Sequence, residues 1–466
     1  MIILRWYAAI LLCCCVAHSQ PLLTGNWSGE LRVSTIRLDI RVRFADSSGI
    51  LKGWIDIPKQ SAMGLRLQEV GSKGTAVHFE LPTGMNTAKF EGTASADSLS
   101  GVFLQGSALG TWVLRPVRPD SSARAVLPYK EEEVTFRNGD ITIAGTLSLP
   151  PGPGPHPAMV MITGSGAQNR DEELFGFKMF GVIADSCVRK GIAVLRCDDR
   201  GIGGSGGNTM TATTADVAAD ALAGVSYLRS RKEIDGARIG LFGHSEGGIA
   251  APMVASHREN RIAFIILMAG PAERGDSTII AQVARINSAS GMPDSISARA
   301  VATERDVLAK VESGATRDEM EKMLLKVATE EYASLTSMQK AAVGDSSAFL
   351  TAKARTSAAA VTSVWYRYFL ALDPAVFLRK VTCPVLAMYG TLDTQVPADR
   401  NAPLMEKLLK QSGNRSSEVR ILTRANHLFQ KATTGSVAEY AQLPPSFVDE
   451  FLPTITSWLS TTVLNK

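Results

Sequence analysis

Cysteine and histidine are both scarce in this chain, with six of each in 466 residues. Cys13, Cys14 and Cys15 stand together near the start, while Cys187, Cys197 and Cys383 lie singly inside apolar runs. That spacing excludes a disulfide framework and the paired cysteines of zinc sites, and the three later residues read as buried thiols. No cluster of His, Cys and carboxylates has metal-ligand spacing, so no metal is expected. Aromatic residues make up 6% and the formal net charge is +4. Without a basic stripe interleaved with aromatics, a charge that small over this length argues against a nucleic-acid partner. The glycine run Gly201–Gly207 follows an apolar strand pattern but lacks the lysine of a P-loop and the full dinucleotide fingerprint, so no cofactor is expected. Membrane-length apolar segments are missing too, which excludes stable membrane insertion.

One short apolar segment does stand at the start. Met1–Arg5 carries one positive charge, Ala8–Val16 is apolar, and Ala17-His18-Ser19 has the small-x-small form of a cleavage site. Residues 1–19 therefore read as a signal peptide cleaved before Gln20. The residues preceding Cys13, Cys14 and Cys15 are unsuited to lipidation. Export without obligatory disulfides points to a bacterial periplasm or the cell exterior.

A hydrophobic fraction of 45% and a charged fraction of 20% are ordinary for a globular protein, and the length suggests more than one domain. Residues 20–116 are β throughout: Ile36, Leu38, Ile40, Val42 and Phe44 alternate with Arg37, Asp39, Arg41 and Arg43, the period of a strand with one wet face. Short strands follow at close spacing to about Arg115, predicting an all-β barrel or sandwich. Residues 117–130 form a polar linker. From Glu131 onward a hairpin pattern gives way to alternating strands and helices, predicting a doubly wound α/β sheet over 131–466. Strands are expected near Ala158–Ile162, Ile192–Cys197, Ile239–Phe242, Ile262–Met268, Val385–Tyr389 and Val419–Leu422. Between the fourth and fifth of these, about 271–373, the pattern is helical only. Thr316 and Glu319 form a capping box there, with Met320, Met323, Leu324, Val327 and Leu335 marking an apolar face.

Gly243-His244-Ser245-Glu246-Gly247 falls between the strand pattern ending at Phe242 and a small-residue helix pattern from Gly248. That is the setting of a nucleophile elbow, where a serine on a sharp turn stands clear of the sheet and side chains two residues either side would collide. A serine nucleophile needs a base. His18 lies in the leader, His78 in the β region, and His156 beside a Pro/Gly-rich run. His244 points away from Ser245, and His257 is too far along the helix. His427 follows the last strand pattern, where a general base belongs. Asp393, after the strand pattern ending at Gly390, suits the acid that orients it, with Glu273 or Asp276 as rivals. The order Ser, Asp, His is that of α/β-hydrolases.

Several stretches together carry a family resemblance: Thr163–Asp171, Asp198–Ser205, Gly243–Gly248, Gly390–Asp393 and Asn426-His427. In their order and spacing the chain resembles α/β-hydrolases of the serine aminopeptidase-like (S33-type) group and the EstD-type bacterial esterases, over most of its C-terminal two-thirds. The resemblance implies an α/β-hydrolase fold whose helical insertion caps the active site, and a triad of Ser245, Asp393 and His427. It also implies that the Gly201–Gly207 loop is structural and fixed by Arg200. One departure is Thr163-Gly164, where many hydrolases have His-Gly.

An oxyanion hole needs two backbone N–H groups. Glu246 supplies one at a helix N-terminus; Ser165 is the first choice for the second, with Gly166 and Ala167 as alternatives. The Glu246 side chain either holds a substrate amine or braces a loop, and Val364–Leu370 either lines an acyl pocket or packs the cap. The expected activity is serine hydrolysis of a small carboxylic ester, with short acyl chains, through an acyl-enzyme. An aminopeptidase or amidase of the same fold is the first alternative, and a non-catalytic binding protein the second.

Overall fold

The computed structural model describes residues 23–465, apart from 34–35, 48–49, 58–61, 83–86, 96, 107, 118–126, 334–336, 338–339 and 341–345. The expected signal peptide, most of the expected linker, and Leu335 lie outside the described residues. The chain divides into two compact units, Met1–Trp54 with Arg66–Arg118, and Ile55–Leu65 with Pro119–Lys466.

The N-terminal sheet has nine antiparallel strands: β1 Gly25–Val33, β2 Ile36–Ser47, β3 Ile50–Ile57, β4 Ala62–Arg66, β5 Gln68–Lys73, β6 Ala76–Leu81, β7 Ala88–Ala94, β8 Leu99–Gln105 and β9 Ala108–Pro116. Their order is β4-β3-β2-β1-β9-β8-β7-β6-β5. The chain passes from one end of that order to the other through Leu67 alone, whose N–H donates to Gly53 O at 2.9 Å. One bent strand thus pairs with β3 before the bend and β6 after it, which makes the sheet a near-barrel. Its alternating residues behave as the period-2 pattern requires: Ile40, Val42 and Phe44 are buried and Arg37, Arg41 and Arg43 exposed. Phe44, Phe79, Phe90, Phe103 and Trp112 form a connected aromatic core with ring centroids 4.6–6.1 Å apart.

The second unit is built on eight strands: β10 Lys130–Asn138, β11 Ile141–Leu149, β12 His156–Ile162, β15 Ala193–Cys197, β16 Ile234–His244, β17 Ile265–Met268, β18 Val385–Gly390 and β19 Ser417–Leu422. A small hairpin, β13 Glu173–Leu174 and β14 Phe177–Lys178, stands apart. The sheet order is β10-β11-β15-β12-β16-β17-β18-β19, parallel from β15 onward and antiparallel at the β10 edge. Flanking helices are α1 Met179–Val188, α2 Thr214–Arg229, α3 Gly247–Ala255, α9 Ala375–Leu378, α10 Ala398–Gln411 and α11 Phe451–Leu459. Val160 of β12 lies against Gly224 of α2, whereas Phe242, in register with Met161, meets Phe180 of α1. Helices therefore cover both faces, and both faces are apolar, as a largely parallel sheet demands. This is the α/β-hydrolase fold.

Between β17 and β18 come α4 Gly275–Ala289, α5 Asp294–Glu312, α6 Arg317–Ala333, α7 Ser346–Val361 and α8 Val364–Ala371. Thr316 and Glu319 make the expected reciprocal capping bonds, and Met320 is buried with Val307, Leu308, Val311, Ala358 and Leu370. Arg367 of α8 donates to the carbonyls of Val311, at 2.9 Å, and Ala315, satisfying the open end of α5. Among the described residues no helix is long and apolar enough to cross a membrane.

Candidate active site

Ser245 occupies the turn between β16 and α3 with φ +50°, in the left-handed region that non-glycine residues rarely adopt. Its N–H donates to Met268 O at 2.9 Å, anchoring the turn to β17. Both flanking glycines are sterically required. A Cβ on Gly243 would lie 2.1 Å from Gly247 O, and one on Gly247 would lie 2.2 Å from Ile162 O. The turn is therefore pressed against the end of β12, and Ser245 keeps some exposure while its neighbours His244 and Glu246 are buried.

Asp393 and His427 meet at the C-terminal ends of β18 and β19. His427 Nδ1 lies 2.9 Å from Asp393 Oδ2, and Asp393 Oδ1 accepts N–H bonds from Gln395 at 2.8 Å and Val396 at 2.9 Å. Both residues are buried. This arrangement fixes the carboxylate and points one imidazole nitrogen at it, leaving Nε2 free of it. The His427 ring centroid is 4.9 Å from that of His244, the residue before Ser245. Ser245 Oγ makes no hydrogen bond among the described residues. The rival acids are engaged elsewhere: Glu273 pairs with Arg400, and Asp276 with Arg274 and Ser277. His257 is exposed beside Glu259, and His78 pairs with Glu91.

The turn after β12 closes on the serine. A Cβ on Gly164 would lie 3.2 Å from Ser245 Cβ, so Ser165 follows at the next step, with Gly166 at φ +101° behind it. Two carboxylates hold this turn, Glu172 fully buried and Asp199 partly exposed. Asp199 accepts from Thr163 Oγ1 at 2.6 Å and Gln168 N at 2.8 Å, and Glu172 Oε1 accepts from Gly164 N at 2.8 Å. Burial, reinforced by the nearby Glu172 and Glu246 carboxylates, pushes Asp199 well above the usual carboxylate range against its two hydrogen bonds. The Glu246 N–H begins α3, where the helix dipole favours negative charge.

The Glu246 side chain turns away from the serine. Oε1 accepts from Thr214 Oγ1 at 2.6 Å, and the Trp365 indole N–H reaches Oε1 at 2.9 Å and Oε2 at 3.0 Å. Of the two roles open to it in the sequence, it takes the brace, linking α2, the elbow and the cap. A cavity of about 540 Å³ lies beside it, lined by the Thr163–Ala167 turn, Val160, Val217, Ala221, Glu246, Trp365 and Tyr366 among others. Trp365 also stacks on Phe369 at 5.4 Å, so the α8 aromatics both line the cavity and pack the cap.

Three further residues behave differently from expectation. Arg200 ties β15 to α2 through Asp216 and Asp220, while the glycine loop is fastened chiefly by Asp198, which accepts from Gly204 N at 3.0 Å, and by Ser205. Gly203 packs directly on Asp198, where a Cβ would lie 2.3 Å from Oδ2. Cys187 is a buried free thiol as expected, but Cys197 and Cys383 are only partly buried. Among the described residues no group of three or more His, Cys, Asp or Glu is placed to hold a metal ion.

Fold and site together define an α/β-hydrolase with a nucleophile elbow. Residues 138–428 match the X-Pro dipeptidyl-peptidase (S15) family, and the chain belongs to that family. It is also similar to esterase EstD of Thermotoga maritima, 33% identical over 149 residues, which is 31% of this chain and 35% of the relative, so the match spans about a third of either. Among solved structures it resembles the esterase Pf2001 of Pyrococcus furiosus (14% identity, TM-score 0.42, covering 72% of this chain and 91% of that one). Est1E of Butyrivibrio proteoclasticus, solved with ferulic acid bound, is comparable (16% identity, TM-score 0.39, covering 71% and 98%).

Proposed function

We propose that this protein hydrolyses carboxylic esters through an acyl-enzyme on Ser245. The observation that carries the reading is the His427–Asp393 hydrogen bond beside a serine held at φ +50°. Ser245 Oγ attacks the ester carbonyl and its proton passes to His427 Nε2, while Asp393 holds the ring and stabilises its charged form. The N–H groups of Glu246 and Ser165 receive the oxyanion. Collapse breaks the ester C–O bond, and the alkoxide leaves with the proton from His427. Water then attacks the acyl-enzyme, giving its proton to His427, and collapse returns a proton to Ser245 with release of the carboxylic acid.

The apolar cavity under the cap suits an apolar acyl or alkyl group. Hydrolysis of peptides from a free amino end would need a carboxylate to meet the substrate amine, and Glu246 is already committed to Thr214 and Trp365. That favours an ester over an aminoacyl amide. Labelling with a fluorophosphonate, followed by turnover of graded acyl nitrophenyl esters against aminoacyl and X-Pro amides, tests the reading. Labelling at Ser245 with esters preferred supports it; preference for X-Pro amides replaces it with a peptidase. Export through residues 1–19 belongs to the same proposal, and fractionation of expressing cells checks it.

A further inference from the structure

His244 ends β16 one residue before Ser245 and is 2% exposed. Its Nε2 lies 3.2 Å from the carbonyl oxygen of His427, and its Nδ1 lies 2.7 Å from Glu172 Oε1. The same Oε1 accepts the Gly164 N–H at 2.8 Å. Glu172 is wholly buried in a left-handed conformation, φ +43°, with its N–H on Asn169 O at 2.8 Å. A buried glutamate in so sparsely populated a backbone conformation is over-determined by its surroundings, and such residues gather at functional sites.

The proton count follows from the acceptors. A carbonyl oxygen only accepts, so His244 Nε2 carries a proton. A nitrogen and a carboxylate oxygen 2.7 Å apart need another proton between them. That proton joins His244 to Glu172, and the pair carries no net charge whichever of the two holds it. Burial opposes the charged ring, but the Glu172 carboxylate, its hydrogen bond, the His427 carbonyl and the Asp393 charge together hold His244 above the usual histidine range. Asp199 and Glu246 are the other carboxylates of this neighbourhood.

The geometry points to Glu172 and His244 as positioning residues for the hydrolysis proposed above, on which this inference rests. Together they tie the Gly164 turn, and with it the Ser165 N–H, and the backbone of the general base to the strand that ends at the nucleophile. Neither touches substrate. Their effect is geometric, because a misplacement of ~1 Å is enough to cost ~10²-fold in rate.

The test compares Glu172→Gln, His244→Gln and the double variant with wild-type protein. Each is checked for folding by circular dichroism, then measured for nitrophenyl acetate turnover and for the rate of fluorophosphonate labelling at Ser245. Expected are kcat losses of about 10- to 100-fold at nearly unchanged KM, with labelling slowed in parallel. The double variant should lose no more than the worse single variant, since the two act as one unit. Folded variants that keep wild-type kcat and labelling rate would overturn the proposal. A second measurement needs no variant: nitrogen-detected spectra of the His244 ring in wild-type protein at pH ~8, above the ordinary histidine titration. A protonated Nε2 and an Nδ1 shifted by its hydrogen bond to Glu172 are the expected result; an Nδ1 free of any hydrogen bond overturns the pair. If wild-type protein resists the probe, the esterase reading falls and the pair has nothing to position. If wild type reacts and the variants react equally fast, only the role of the pair falls.

Discussion

The indole N–H of Trp365 sits 2.9 and 3.0 Å from the two carboxylate oxygens of Glu246, the residue directly after Ser245. A cap helix is thus joined by a charge-assisted hydrogen bond to the residue whose own N–H is proposed to receive the oxyanion. Trp365→Phe keeps an aromatic face but removes the donor, leaving Thr214 to satisfy a buried carboxylate. The expected loss is about 1–3 kcal/mol in urea unfolding. KM should rise for bulky apolar esters more than for acetate esters, because Trp365 lines the cavity they would fill. Equal KM changes across the series would show that the cap does not contact the acyl group.

The triad makes a graded prediction. Ser245→Ala and His427→Ala should each lower kcat by ~10⁶-fold, and Asp393→Asn by ~10⁴-fold, because serine and histidine act as one unit. Steady-state ester hydrolysis measures all three. Substantial turnover by folded Ser245→Ala protein would move the nucleophile elsewhere.

Substitution of the elbow glycines should be costly for a backbone reason. In Gly247→Ala the new Cβ meets Ile162 O at 2.2 Å and Thr163 O at 2.7 Å, and backbone cannot step aside like a flexible side chain. A loss of about 1–3 kcal/mol or more is expected, with labelling of Ser245 abolished or strongly slowed. Gly236→Ala is the control: its Cβ would make only an ordinary 3.7 Å contact with Arg229, so thermal melting should barely change.

Inside the cap, Glu304 accepts a hydrogen bond from Tyr366 Oη at 3.3 Å, and burial raises its carboxyl above the usual range despite that bond. The folded protein therefore holds this proton more tightly than the unfolded chain. Its stabilising contribution is full below the ordinary glutamate titration and is lost as pH rises through the raised value. Glu304→Gln should accordingly raise the melting temperature at pH ~7, with the advantage shrinking near pH ~4. Melting curves across that range check the sign; a variant less stable at neutral pH contradicts it.

What was legible in the sequence follows from how local each constraint is. Gly243, Ser245 and Gly247 could be read because the turn imposes its residues within five positions, and the strand patterns from Ala158 to Leu422 because a largely buried sheet leaves nearly continuous apolar runs. Glu172 gave no such signal. It sits in the polar run Asn169-Arg170-Asp171-Glu172-Glu173, which reads as a solvated loop, and its partner His244 is 72 residues away. Only the positive φ at Glu172 and the packing of the Gly164 turn bring the carboxylate inside. The Trp365–Glu246 bond was hidden in the same way, by a separation of 119 residues across an insertion. Arg200 misled because an arginine beside a glycine-rich loop suggests a clamp, whereas its charge is claimed by two aspartates of α2.

The bend at Leu67 bears on how the N-terminal sheet meets other molecules. A flat sheet of nine strands would expose two full-length rims of unpaired amides, each a template for a foreign strand. Here those rims shrink to β4 and β5, five and six residues long and joined end to end. Main-chain docking of a passing polypeptide has little to hold. What the outer wall offers instead is side chains, among them Val102, Leu104, Leu109 and Val113, all exposed on β8 and β9.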